Sequence, residues 1–187
     1  MKDILTVDQF RSSWKSLSDK LKGDFSFKEY EKAEVNAGII EASIHFKYEG
    51  FDIKLHQGIL DYGNGKLFFN PIEIVSFFNS GTDFHLNLWH LDLVDKLLSW
   101  NRKKTGFKEF DKLIGIEGKT MQDIIKFFKN EKVRNIFIDN QYYILNISKA
   151  EKKIMLKGVH SSANIAGLIL FTDSFFILLD QLKVTIK

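Results

Sequence analysis

Hydrophobic and polar side chains alternate one for one over residues 40–55, the clearest structural signal in the chain. Ile40, Ala42, Ile44, Phe46 and Tyr48 take every second position, Glu49-Gly50 interrupts them, and Phe51, Ile53 and Leu55 resume the alternation. A period of two puts successive side chains on opposite faces of a strand, and a two-residue break ending in glycine closes a hairpin. With Tyr48 opposite Phe51, Phe46 meets Ile53 and Ile44 meets Leu55 on one face. The other face then carries Lys47 opposite Asp52, a favourable cross-strand pair. Pattern and charge agree on one register.

Upstream the period changes. Val7, Phe10, Trp14, Leu17 and Leu21 recur at spacings of three and four, a narrow helical stripe. Thr6 with Gln9 makes a capping box ahead of it, and Gly23 supplies the stop. Residues 24–36 mix Lys28, Glu29, Glu31, Lys32 and Glu34 and read as a polar linker, with Phe25, Phe27 and Tyr30 available as anchors.

Beyond the hairpin, strands are expected over 66–70, 72–78 and 84–89, and Pro71 confines itself to a strand start, bulge or edge. Gly63-Asn64-Gly65 turns into the first of these, and Asn79-Ser80-Gly81 separates the last two. Leu93, Val94, Leu97 and Leu98 mark a short helix that ends in polar residues 101–106. A short strand at 113–117 follows. Thr120 with Asp123 then caps a helix whose Met121, Ile124, Ile125 and Phe128 share a face. Val133, Ile136 and Phe137 add a short helical turn, and 141–147 with 153–159 form a second hairpin. Ser161 or Ser162 caps a final helix running to about Lys183.

That helix is almost wholly apolar from Ile165 to Leu179, which is 15 residues, and Thr172-Asp173-Ser174 sits at its middle. A membrane span needs about 20 apolar residues, and a central aspartate costs about 3 kcal/mol on insertion. A helix buried against a sheet is therefore the expectation, not a span. The fold class is α+β: antiparallel meander sheets packed on a long C-terminal helix, with shorter flanking helices. The expected organisation is an N-terminal helix at 1–23, the linker at 24–36 and one domain at 37–187, divisible into halves near 101–106.

Composition narrows the function classes. With 27 basic against 24 acidic side chains, the net charge of +3 implies no polyanionic partner such as nucleic acid. Only three of those basic residues are arginines, so forked contacts to bases or phosphates are scarce. The absence of cysteine excludes disulfides, thiol catalysis and cysteine-based zinc sites. The opening MKDILTVDQFRSSWK has no apolar stretch of a secretory leader, and a cytoplasmic location is expected. Eighteen phenylalanines against one proline fit a codon bias that supplies Phe as core filler, or a cavity lined for an apolar ligand.

Thr105-Gly106-Phe107-Lys108-Glu109-Phe110-Asp111 enters the strand expected near 113. Gly106 suits a turn, Phe110 a core plug, and Asp111 a carboxylate that accepts from local backbone amides. This TG-x-x-x-FD step, the hairpin through Gly50, a helix pair containing Lys132-Val133-Arg134 and a closing strand–strand–helix run from about Gly38 to Leu182. In that order the chain resembles a widespread family of uncharacterised bacterial domains. The resemblance implies an architecture and no activity.

Candidate chemistry is sparse. In the hairpin register Ser43 faces His56 and His45 faces Lys54, so His45 and His56 are diagonal neighbours, and Glu41 shares their face. Two imidazoles and a carboxylate are a conceivable metal set, although Lys47 and Lys54 oppose a cation there. His85, His90 and His160 show no ligand spacing. Asp173 and Asp180, seven apart, fit the polar stripe of a mostly buried helix. Gly63-Asn64-Gly65-Lys66 lacks the phosphate-loop pattern and leads into a strand. Trp100, Arg102, Lys103, Lys104 and Phe107 interleave aromatics with charge, as single-stranded nucleic acid requires or as any cationic helix end shows.

Nothing pairs a nucleophile with a base, and no cofactor is expected. The leading expectation is a non-catalytic interaction or accessory domain that contacts another protein or itself. Its candidate surface is the stripe Val7, Phe10, Trp14, Leu17 and Leu21. The alternative is a binder of a small apolar ligand in a cup lined by Phe171, Phe175 and Phe176, between sheet and last helix.

Overall fold

The structure is a computed structural model that describes residues 6–32, 37–63, 67–78, 84–92, 95, 103–118, 120–140, 143–148, 150–158 and 164–185. The turn residues 64–66 and 79–81, the apolar cluster at Leu93, Val94, Leu97 and Leu98, and Trp100, Arg102, His160, Ser161 and Ser162 lie outside them. Among the described residues are nine strands, mostly antiparallel, and five helices, an α+β fold with a long C-terminal helix. They group into two compact units, Met1–Val75 with Val159–Thr172, and Ser76–Gly158 with Asp173–Lys187.

The first unit opens with helix α1, Val7–Leu21. Thr6 accepts from the Gln9 amide while the Gln9 side chain accepts from the Thr6 amide, the reciprocal capping box its sequence predicts. The stop differs from expectation. Lys22, not Gly23, takes the left-handed position, at φ 53°. Gly23 is required for closeness instead, because a Cβ there would lie 2.7 Å from Ile44 Cγ2 and 2.8 Å from the His45 carbonyl oxygen.

Three long strands follow: β1, Asp24–Lys32, β2, Ala37–Tyr48, and β3, Phe51–Asp61, joined in that order as antiparallel neighbours. The expected linker is thus a nine-residue strand. Its charged residues mask a period of two in which Phe25 and Phe27 alternate with Ser26 and Lys28, and only pairing with β2 makes that period decisive. The β2–β3 hairpin has the register read from sequence: Tyr48 opposite Phe51, Phe46 opposite Ile53, Lys47 opposite Asp52 at 3.7 Å. Glu49 and Gly50 both have positive φ, 45° and 86°, as the tight turn of a twisted hairpin demands. Strands β4, Leu67–Phe69, and β5, Ile72–Phe77, lie along the other side of β3.

Helix α1 covers the face bearing Ala42, Ile44, Phe46, Ile53 and Leu55. Phe10 stacks at 6.3 Å from Phe27 and 6.1 Å from Phe69, and Arg11 lies 4.2 Å over the Phe27 ring. Phe10, Trp14 and Leu17 are buried there to 1% exposure or less. The stripe expected as an interaction surface is therefore spent on the chain's own sheet, with Val7 and Leu21 half-buried at its ends. Trp14 Nε1 and Gln57 Oε1, both buried, have no hydrogen-bond partner among the described residues.

The second unit holds strands β6, Leu86–His90, β7, Ile114–Gly118, β8, Tyr143–Ser148, and β9, Lys153–Gly158, in the antiparallel order β9-β8-β6-β7. Between them run helices α2, Lys108–Leu113, α3, Met121–Phe128, and α4, Glu131–Asp139. Phenylalanine fills this core: Phe128 lies 4.7 Å from Phe110, 5.1 Å from Phe127 and 6.4 Å from Phe137. Helix α2 replaces the direct entry into a strand expected after Gly106. Thr120 is the N-cap of α3 as expected, but its side chain makes no capping bond, and Ile125 faces outward instead of joining Ile124 and Phe128.

Helix α5, Ile165–Thr185, contributes to both units in sequence. Asn164 starts it, its side chain accepting from the Gly167 amide and its carbonyl from the Leu168 amide. By length and composition α5 could cross a membrane, yet 44% of its most apolar window is buried in protein. Its buried Thr172 is satisfied internally, donating to the Leu168 carbonyl at 2.8 Å.

Candidate functional site

The face of the β1–β2–β3 sheet opposite α1 is built as a set of cross-strand rows. Pairing aligns Asp24, His45 and Lys54 in one row, then Ser26, Ser43 and His56, then Lys28, Glu41 and Gly58. The next row is apolar. Tyr30, Ile39, Leu60 and Phe68 stand side by side across four strands. Tyr62 adds to it, its ring edge-on to Phe68 at 5.4 Å. Tyr30, Tyr62 and Phe68 are each between 44% and 55% exposed. Soluble surfaces scatter such side chains singly, whereas here the register gathers them.

The polar rows beside it enclose a shallow depression of about 420 Å³, lined by Ser26, Lys28, Glu41, Ser43, His45, Lys54 and His56. The short side chains at its centre make the hollow. Ser26 and Ser43 are short, and at the hollow's edge the Asn70 amide lies 3.0 Å from where a Cβ on Gly58 would be, so that position stays glycine. Glu41 is the one carboxylate in the lining, and Tyr30 Oη donates to it at 2.9 Å. That bond, then desolvation and the Glu41 charge, raise the Tyr30 phenol above its ordinary pKa.

The proposed metal set does not assemble. Glu41, His45 and His56 share the face, but no three His, Asp or Glu among the described residues are placed to hold a metal ion. Glu41 turns to Tyr30, and Lys54 stands directly across from His45. Nor does Ser43 opposite His56 amount to an activated hydroxyl, since no side-chain hydrogen bond joins them among the described residues.

Other sequence candidates fall elsewhere. Phe171 and Phe175 are core residues at 2% and 0% exposure, and Phe176 is half-buried. The Asp111 carboxylate accepts from Thr105 N, Thr105 Oγ1 and Gly106 N, at 2.7–2.9 Å, so the TG-x-x-x-FD step is a capped turn around φ +90° at Gly106. Of the basic–aromatic stretch, Lys103 donates to the Gly118 carbonyl and Phe107 lies 4.1 Å under the Arg134 guanidinium. His90 Nε2 bonds the Phe137 carbonyl at 3.0 Å. Asp173 and Asp180 are exposed, as a solvent stripe should be.

The apolar row escapes sequence reasoning because it needs β1 and β4 in register. The available signal is Phe25 and Phe27 at a spacing of two, which puts Tyr30 on the opposite face of the same strand. Comparison with family models, with curated proteins and with solved structures finds no match to this chain.

Proposed function

We propose that the protein is a non-catalytic interaction module whose working surface is the outer face of the β1–β2–β3 sheet, engaging a partner protein. One observation carries this: the exposed row Tyr30, Ile39, Leu60 and Phe68, with Tyr62, bordered by charged and hydroxyl-bearing rows. Aromatic anchors inside a polar rim are the composition of protein-binding surfaces, where a few large rings supply most of the affinity. A non-catalytic role is supported by its chemistry: its carboxylate is held by a phenol, and among the described residues its hydroxyls have no base bonded to them.

The test is site-specific photo-crosslinking in cells. A photoreactive residue replacing Phe68 should capture one discrete protein, while the same group at Lys47, at the far end of the face, should capture it at least several-fold less. Equal labelling from both positions, or none from Phe68, overturns the proposal.

A further inference from the structure

The depression beside the apolar row has an imbalance of charged groups that points to its ligand. Two hydroxyls, Ser26 and Ser43, two imidazoles, His45 and His56, and two ammonium groups, Lys28 and Lys54, converge on about 420 Å³. None of the six side chains makes a hydrogen bond or ion pair among the described residues. The lone carboxylate, Glu41, already accepts from Tyr30 Oη. Elsewhere in the same unit, cations are matched: Lys47 reaches Asp52 across the hairpin, and Arg11 of α1 reaches Glu29 on β1. A hollow with two unpaired ammonium groups, one engaged carboxylate and four neutral groups able to donate suits a ligand made of acceptor oxygens with negative charge.

We infer that this depression binds a phosphate-type oxyanion group, held between Lys28 and Lys54 over the Ser26–Ser43–His56 row. The inference rests on the reading of this face as the working surface, but on different residues from the apolar row. The sheet face supplies no helix terminus, so recognition falls to charge-assisted bonds from the two lysines, with hydroxyls and imidazoles fixing orientation. The Glu41 carboxylate borders the site and limits how far a dianion settles toward Gly58. Two sources share this chemistry, a soluble phosphorylated molecule and a phospholipid headgroup, and the experiment separates them.

Amide NMR titration with inorganic phosphate, at constant ionic strength against chloride, should give saturable shifts confined to Ser26, Ser43, His45, Lys54 and His56. The combined K54Q and H56Q exchange should weaken binding tenfold or more, and K28Q provides a second variant at an exposed position. Sedimentation with phosphatidic acid vesicles, with phosphatidylcholine vesicles as control, forms the second arm. Saturable phosphate shifts without vesicle binding assign a soluble ligand, and vesicle binding lost in the variants assigns a headgroup. Unsaturable shifts spread over all lysines, or binding unchanged in the variants, overturn the inference. Crosslinking from position 68 with no saturable phosphate shifts removes the oxyanion site alone, whereas saturable phosphate shifts with no crosslink from position 68 remove the partner surface alone.

Discussion

Individual side chains in this protein are placed by what they must satisfy. Asp111 is buried, and its charge is matched by two backbone amides and the Thr105 hydroxyl, so a residue that resembles a catalytic acid serves a turn. Tyr143 on β8 is governed by burial, which raises its pKa to about 12. The unfolded chain has an ordinary tyrosine near 10, so the folded state holds its proton more tightly. Stability from this group is complete below pH 10 and is lost as the pH climbs through 12. Urea midpoints measured from pH 9 to pH 12 should fall for the native chain. The slope should flatten in Tyr143→Phe, and equal slopes would show that another group drives alkaline unfolding.

At the level of elements, the parts legible in sequence are those specified locally and twice over. The β2–β3 hairpin is specified by its alternation and again by Lys47–Asp52, and its register is as read. Helix α1 is specified by its stripe and its capping box. Strand β1 and helix α2 are not legible in this way. The first is a charged edge strand made regular only by β2, and the second is a six-residue helix that begins without a side-chain cap. The end of α1 shows the same distinction on a smaller scale. Lys22 bears the left-handed strain and Gly23 bears the crowding, so neighbouring substitutions should act in opposite directions. Lys22→Gly should stabilise by about 0.5–1 kcal/mol. Gly23→Ala should destabilise by about 1–3 kcal/mol through overpacking against Ile44 and the His45 carbonyl. Thermal midpoints moving in the same direction would contradict this division of roles.

For the whole molecule, the question is which apolar surfaces are committed to folding and which are left for other molecules. Sequence alone makes the α1 stripe the candidate contact, because a stripe is visible in one dimension and a cross-strand row is not. Pairing reverses the assignment. Phe10, Trp14 and Leu17 go into the first unit's core, and Tyr30, Tyr62 and Phe68, scattered over 39 positions, come together outside it. The polar half of the site is more legible, since His45, His56 and Glu41 share a face in the predicted register; what the pattern misses is that Glu41 is claimed by Tyr30. If α1 is a structural cover, removing it should expose the inner sheet face with Ile44, Leu55 and Ala42 now wet. Two large side chains at about 1.5–3 kcal/mol each, with the Ala42 methyl besides, are a loss that reaches the lower end of whole-domain stability. A chain beginning at Gly23 should therefore lose several degrees or more of thermal midpoint and self-associate in sedimentation velocity at concentrations where the full chain does not. In the full chain, Phe68→Ser should leave the midpoint within about 2 °C, because an exposed ring contributes little to folding. Were the truncated chain monodisperse with an unchanged midpoint, or Phe68→Ser as damaging as the truncation, the two surfaces would have exchanged roles.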